Sequence, residues 1–114
     1  MYIIQMLTSA TYAYIFLSIA IVFEVGGTIM LPLTDGFTEY MYVVPVCIMY
    51  AISFCMLTLA LRGINISTAY ATWAGMGVLL VAILGRIIYN DYMDWRNVLG
   101  MVLIVIGVVL TNII

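Results

Sequence analysis

This 114-residue chain has no histidine and no lysine, and three arginines are its only basic side chains. Three scattered arginines cannot make a basic patch, so nucleic acid is not an expected partner. Cysteine is nearly absent too. Cys47 and Cys55 lie eight apart in one apolar segment, with no histidine to join them. They make no metal-ligand spacing and are read as small lipid- or core-facing residues. No metal and no cofactor is expected. Charge is scarce: 7% of residues carry it, and the net charge of −2 rests on eight side chains. What is abundant is apolar surface, at 68% hydrophobic residues. A soluble domain of this size leaves too much surface exposed to hide that share. Long uninterrupted apolar stretches point to membrane spans instead.

Punctuation divides the chain into four such stretches. The first runs over about 12–31 and stops at Pro32, before the turn-like TDGFTEY. The second covers about 41–61 and stops at Arg62-Gly63. The third covers about 66–89, before the polar NDYMDWR, and the fourth about 95–113. Each is near the ~20 residues that cross hydrocarbon. Loops this short make consecutive helices antiparallel neighbours. The expected fold is therefore an all-α membrane protein with four transmembrane helices per protomer, forming one domain over 1–114. A cleaved leader is not expected, because no basic residue precedes the first apolar run. The segment MYIIQMLTSATY either extends the first helix or lies along the interface, where Tyr2, Tyr12 and Tyr14 suit an aromatic belt.

Glu24 is the only charged residue in the first thirty-four positions, and it stands well inside an apolar run. A carboxylate in hydrocarbon is costly unless it is paired, protonated or facing a cavity, so it marks function by default, typically proton or cation handling. Leu17, Ala20, Ile21, Glu24, Gly27 and Thr28 follow helical spacing and form one face. Most are small, which lets Glu24 sit at a close helix junction or open onto a cavity. Tyr50, Ser53 and Phe54 lie on the adjoining face of the second span. In the third, Tyr70, Trp73 and Gly77 share a face, and Gly75 and Gly77 weaken the helix enough to permit a kink. Aromatic faces beside a carboxylate are a physical means of holding an apolar cation. Gly100 and Gly107, seven apart in the fourth span, allow close helix approach. That approach serves either dimer packing or packing within one bundle. Four tightly packed helices leave little room for a substrate-sized cavity. A transport path therefore needs a second subunit, so that two copies of Glu24 line one chamber.

Taken together, these residues resemble the small multidrug resistance family of proton-coupled exporters. The pattern A-x-x-x-E-V-x-G-T appears as Ala20, Glu24, Val25, Gly27 and Thr28. The following turn appears as Asp35, Gly36, Phe37 and Thr38. The signature A-Y-A-x-W-x-G-x-G appears as Ala69, Tyr70, Ala71, Trp73, Gly75 and Gly77. The resemblance implies an antiparallel homodimer in a prokaryotic inner or cell membrane, working by alternating access. Protons and small hydrophobic cations would compete for Glu24. Tyr70 and Trp73 would line the site with Tyr50, Ser53 and Phe54, and Gly75 and Gly77 would let the third helix kink.

The chain departs from that pattern at three places. Pro32 stands where the family often has a lysine. Asn65-Ile66-Ser67 replaces the usual proline and glycine before the third helix. Arg86 stands where an apolar or aromatic residue is usual, and it can snorkel to the interface. These departures suit a heterodimeric pair as well. A guanidinium-exporting branch typically has tryptophan three residues after the glutamate, and here that residue is Gly27. The ranking is thus an exporter of lipophilic or quaternary cations first, then a guanidinium exporter or a polyamine-exporting partner subunit. A non-transporting membrane assembly subunit, from another class, would have no need of Glu24. An enzyme is not expected. One arginine lies on the side of the Arg62 loop against two on the other, a bias too small to fix one orientation.

Overall fold

The computed structural model describes residues 2–113, with side chains described from residue 10 onward. Four helices follow in order: α1 (Tyr2–Met30), α2 (Tyr40–Ala60), α3 (Ile66–Ile88) and α4 (Trp95–Ile113), with a 3-10 turn, Leu31–Thr34, after α1. The N-terminal segment continues α1. All four helices are long and apolar enough to cross a membrane, the first over Ala10–Thr34. Backbone groups in hydrocarbon must be paired within their own segment, and helices satisfy that need.

The helix ends have local causes. Pro32 sits in the first turn of the 3-10 segment, and Asp35, Gly36 and Phe37 then all adopt positive φ, which turns the chain sharply away. Asn65 caps α3, its side-chain oxygen accepting from the Thr68 amide at 2.9 Å. Asp94 caps α4, accepting from the amides of Arg96 and Asn97 at 3.0 and 3.2 Å. Each cap satisfies amides that a helix start leaves unpaired.

Three helices make the core and the fourth stands outside it. Ala13, Leu17, Ile21 and Val25 of α1 pack with Ala60, Ile64 and Ala69. Helix α2 comes close to α1 because α1 is small where they meet. A Cβ on Gly27 would stand 3.1 Å from the Tyr50 ring, and Ala20 is fully buried. The buried Ser53 hydroxyl donates to the Ala20 carbonyl at 2.6 Å and stitches the two helices together. Helix α4 packs along α3. A Cβ on Gly75 would stand 2.6 Å from Val108 and 3.2 Å from Ile104, so the bare backbone there admits α4. No described residue of α4 is buried, and Leu103, Ile106 and Leu110 present a wide apolar face outward. A Cβ on Gly100 or Gly107 would meet no described atom within 4 Å, so neither glycine makes room for another helix of the protomer.

Candidate cation site between the first and third helices

Helices α1 and α3 enclose a groove of about 430 Å³, lined by Glu24 and Thr28 on one wall and by Trp73, Ala74, Gly77, Val78, Val81 and Ala82 on the other. The size suits a small organic ligand. Its walls are apolar apart from the carboxylate, the Thr28 hydroxyl and the indole.

The carboxylate is only half satisfied. Glu24 Oε1 accepts a hydrogen bond from the Thr28 hydroxyl at 2.9 Å. The Thr28 and Tyr50 hydroxyl oxygens are 2.7 Å apart. A threonine has one proton to give, so Tyr50 must be the donor in that pair, and the chain runs Tyr50 to Thr28 to Glu24. The second oxygen, Oε2, is buried and has no hydrogen-bond partner among the described residues. Its place is made by Gly77, where a Cβ would come within 2.6 Å of it. An unpaired carboxylate oxygen in hydrocarbon is costly until a proton or a cation meets it.

Trp73 supplies the aromatic wall. Its indole N–H donates to the Ser53 hydroxyl at 3.3 Å, which fixes the ring. Phe54 and Tyr70 each pack against it with ring centroids 5.6 Å away, both tilted at about 50°.

Among the residues singled out from the sequence, Glu24, Thr28, Trp73 and Gly77 meet at the groove. Tyr50 reaches it through Thr28. Phe54 and Tyr70 support the indole and are largely exposed on their outer sides. Leu17, Ala20 and Ile21 are buried in the core instead, and Gly27 is taken up by the contact with Tyr50. Ser53 is fully buried and already bonded at both ends. The physical reason is depth. Leu17, Ile21 and Glu24 share a stripe on α1, but Ala60, Ile64 and Ala69 fill the space before Leu17 and Ile21. Opposite Glu24 stands Gly77, which leaves room. Helix α3 runs unbroken through Gly75 and Gly77, and both glycines serve close approach here. Ala74, Val78, Val81 and Ala82 extend the wall without having been singled out. The signal for them is the Tyr70–Trp73–Gly77 face continued by further helical turns.

The family model for the Small Multidrug Resistance protein matches residues 12–104. The chain belongs to that family. It is 42% identical to multidrug resistance protein EbrA of Bacillus licheniformis over 99 residues, 87% of this chain and 94% of the relative. It is 38% identical to multidrug resistance protein EbrB of Bacillus subtilis over 98 residues, 86% of this chain and 84% of the relative. It is also 38% identical to the nicotine metabolites export pump subunit NepA of Paenarthrobacter nicotinovorans over 96 residues, 84% and 83% of the two chains. Membership makes the four apolar helices those of a bacterial integral membrane protein, and places the chain among small multidrug exporters, not enzymes.

Proposed function

We propose that this chain is a subunit of a proton-coupled antiporter that exports lipophilic or quaternary ammonium cations by alternating access through a dimer. The observation that carries this reading is Glu24 Oε2, buried and unpaired among the described residues at an apolar groove walled by an indole. Proton and cation claim the same oxygen, so each departs as the other binds, and exchange follows from competition. Trp73 attracts a desolvated cation through its ring face. The groove has walls on α1 and α3 alone, and a second subunit completes it and brings a second Glu24. The outward apolar face of α4, with Gly100 and Gly107 unfilled, supports helix association there.

The decisive experiment uses the protein in liposomes under a pH gradient. Wild type is expected to drive a tetraphenylphosphonium-type cation uphill, with guanidinium transported less, and Glu24→Gln is expected to drive neither. Uphill transport by the Gln variant would refute the mechanism. A paired assembly is the second reading, since NepA is named a pump subunit. Transport by this chain alone in liposomes decides against an obligatory partner.

A further inference from the structure

Pro32 and Arg86, two of the three family departures, lie three residues from Ile29 and from Tyr89, which meet at one end of the groove. A 3-10 turn pairs each N–H with the carbonyl three residues back. Pro32 has no N–H to give to Ile29. The Tyr89 hydroxyl supplies the missing donor, reaching the Ile29 carbonyl at 2.6 Å across sixty residues of chain. Tyr89 is held in place by the end of α3. Its own amide and that of Asp91 both donate to the Gly85 carbonyl, at 2.9 and 3.3 Å. Asn90 takes a left-handed conformation, with φ 56°. The Arg86 guanidinium donates to the Asn90 side chain at 2.9 Å and to the Asp91 carbonyl at 3.1 Å, which clamps the turn. Ile29 is one residue beyond Thr28, and Ala82 of the opposite wall lies two turns before Tyr89. The bond therefore ties the two groove walls together at the end that carries the α1–α2 and α3–α4 loops.

We propose that Tyr89 is a positioning residue whose hydroxyl latches α1 to α3 at this end of the groove, and that the bond to Ile29 must break when the groove opens to that side. The proposal rests on reading the groove as the transport path. The latch depends on Pro32, because any other residue there offers Ile29 a backbone donor that does not break on opening.

The test measures opening without requiring transport. In a chain with Cys47 and Cys55 replaced by alanine, Ala82→Cys places a reporter thiol on the groove wall. The labelling rate of a water-soluble maleimide is measured in four proteins: this parent, Tyr89→Phe, Pro32→Ala and the double variant. Phenylalanine keeps the ring and removes only the hydroxyl. Its labelling is expected to rise about three- to tenfold, the range one neutral hydrogen bond carries. With Pro32→Ala present, the same change is expected to matter less than about twofold. An unchanged or lower rate in Tyr89→Phe overturns the latch, and so does a rise that Pro32→Ala fails to shrink. Ala60→Cys, buried in the core at the far end of the bundle, is the control. A parallel rise there marks general loosening and overturns the proposal as well. Loss of transport in an unrelated assay leaves these rates untouched, so failure of the latch and failure of the antiport reading are separable.

Discussion

Gly77 and Gly85 stand eight residues apart on α3, and each seats the carboxylate of another segment. A Cβ on Gly77 would lie 2.6 Å from Glu24 Oε2, and one on Gly85 would lie 2.7 Å from Asp91 Oδ2. The backbone device is the same and the surroundings differ. Glu24 belongs to a membrane-spanning helix and keeps a buried oxygen without a partner among the described residues. Asp91 belongs to an exposed loop, where its side chain is open to solvent. A glycine seat makes room for a carboxylate, and the medium around the seat decides whether that carboxylate has unmet demand. Only the Glu24 seat faces apolar walls.

Removing the charges separates the two seats most widely. Glu24→Gln is expected to abolish cation binding and its pH dependence, because it removes the oxygen for which proton and cation are proposed to compete. Asp91→Asn is expected to leave both within about twofold of wild type, as for surface substitutions away from special features. If proton and cation share the site as proposed, cation affinity in wild type is expected to fall as pH falls. Equilibrium binding of a tetraphenylphosphonium-type cation across pH measures all of this. A flat profile in Asp91→Asn would make the loop seat a second exchange site and dissolve the contrast.

Filling the seats comes next. Alanine is the better helix former by about 0.5–1 kcal/mol at either position. At Gly77 the added methyl must push Oε2 out of place, and misplacement on the scale of an ångström costs roughly ten- to a hundredfold in function. Gly77→Ala is therefore expected to fold normally and bind cations at least about tenfold more weakly. At Gly85 the neighbour is the end of an exposed side chain that can swing away, so binding by Gly85→Ala should stay near wild type. Thermal unfolding and cation titration of the two variants make the comparison. Equal binding losses would show that α3 tolerates no methyl anywhere on this face.

The indole sharpens the view of the Glu24 seat. Cation–π contact is worth about 0.5–2 kcal/mol depending on desolvation. Trp73→Ala is expected to weaken binding of an aromatic cation several-fold while proton uptake at Glu24 survives. Unchanged aromatic-cation affinity would remove Trp73 from the site.

The helices were legible because the cues for them are local: apolar length, Pro32, Arg62-Gly63 and the polar loops. Glu24 was legible because a lone charge in hydrocarbon has few explanations. Angular position on α1 was legible from helical spacing, but depth was not. Leu17, Ile21 and Glu24 share one stripe, and only the partner residue on α3 decides which of them meets open space. The glycines of α3 show the same limit. Sequence marks Gly75 and Gly77 as flexible, whereas the fold uses one to admit α4 and the other to admit a carboxylate. Tyr89 was invisible, since its bond to Ile29 joins two chain segments that no local pattern relates.

The smallest expected effects lie behind the Glu24 seat, in the hydroxyl chain. Thr28 touches the carboxylate directly, and Tyr50 touches it only through Thr28. Side-chain hydrogen bonds between membrane helices average about 0.6 kcal/mol, or about threefold in an equilibrium constant, and the same scale is taken for the Thr28–Glu24 bond within α1. Thr28→Val, which keeps the shape and removes the hydroxyl, should weaken cation binding about threefold by releasing Oε1. Tyr50→Phe should cost about twofold or less. The double variant should bind like Thr28→Val alone, because a donor that acts through Thr28 has nothing to act on once that hydroxyl is gone. Titrating one cation against the four proteins closes the cycle. A Tyr50→Phe loss larger than that of Thr28→Val, or a strictly additive pair, would mean that the Tyr50 hydroxyl meets the cation itself. The site would then extend beyond the α1–α3 groove onto α2.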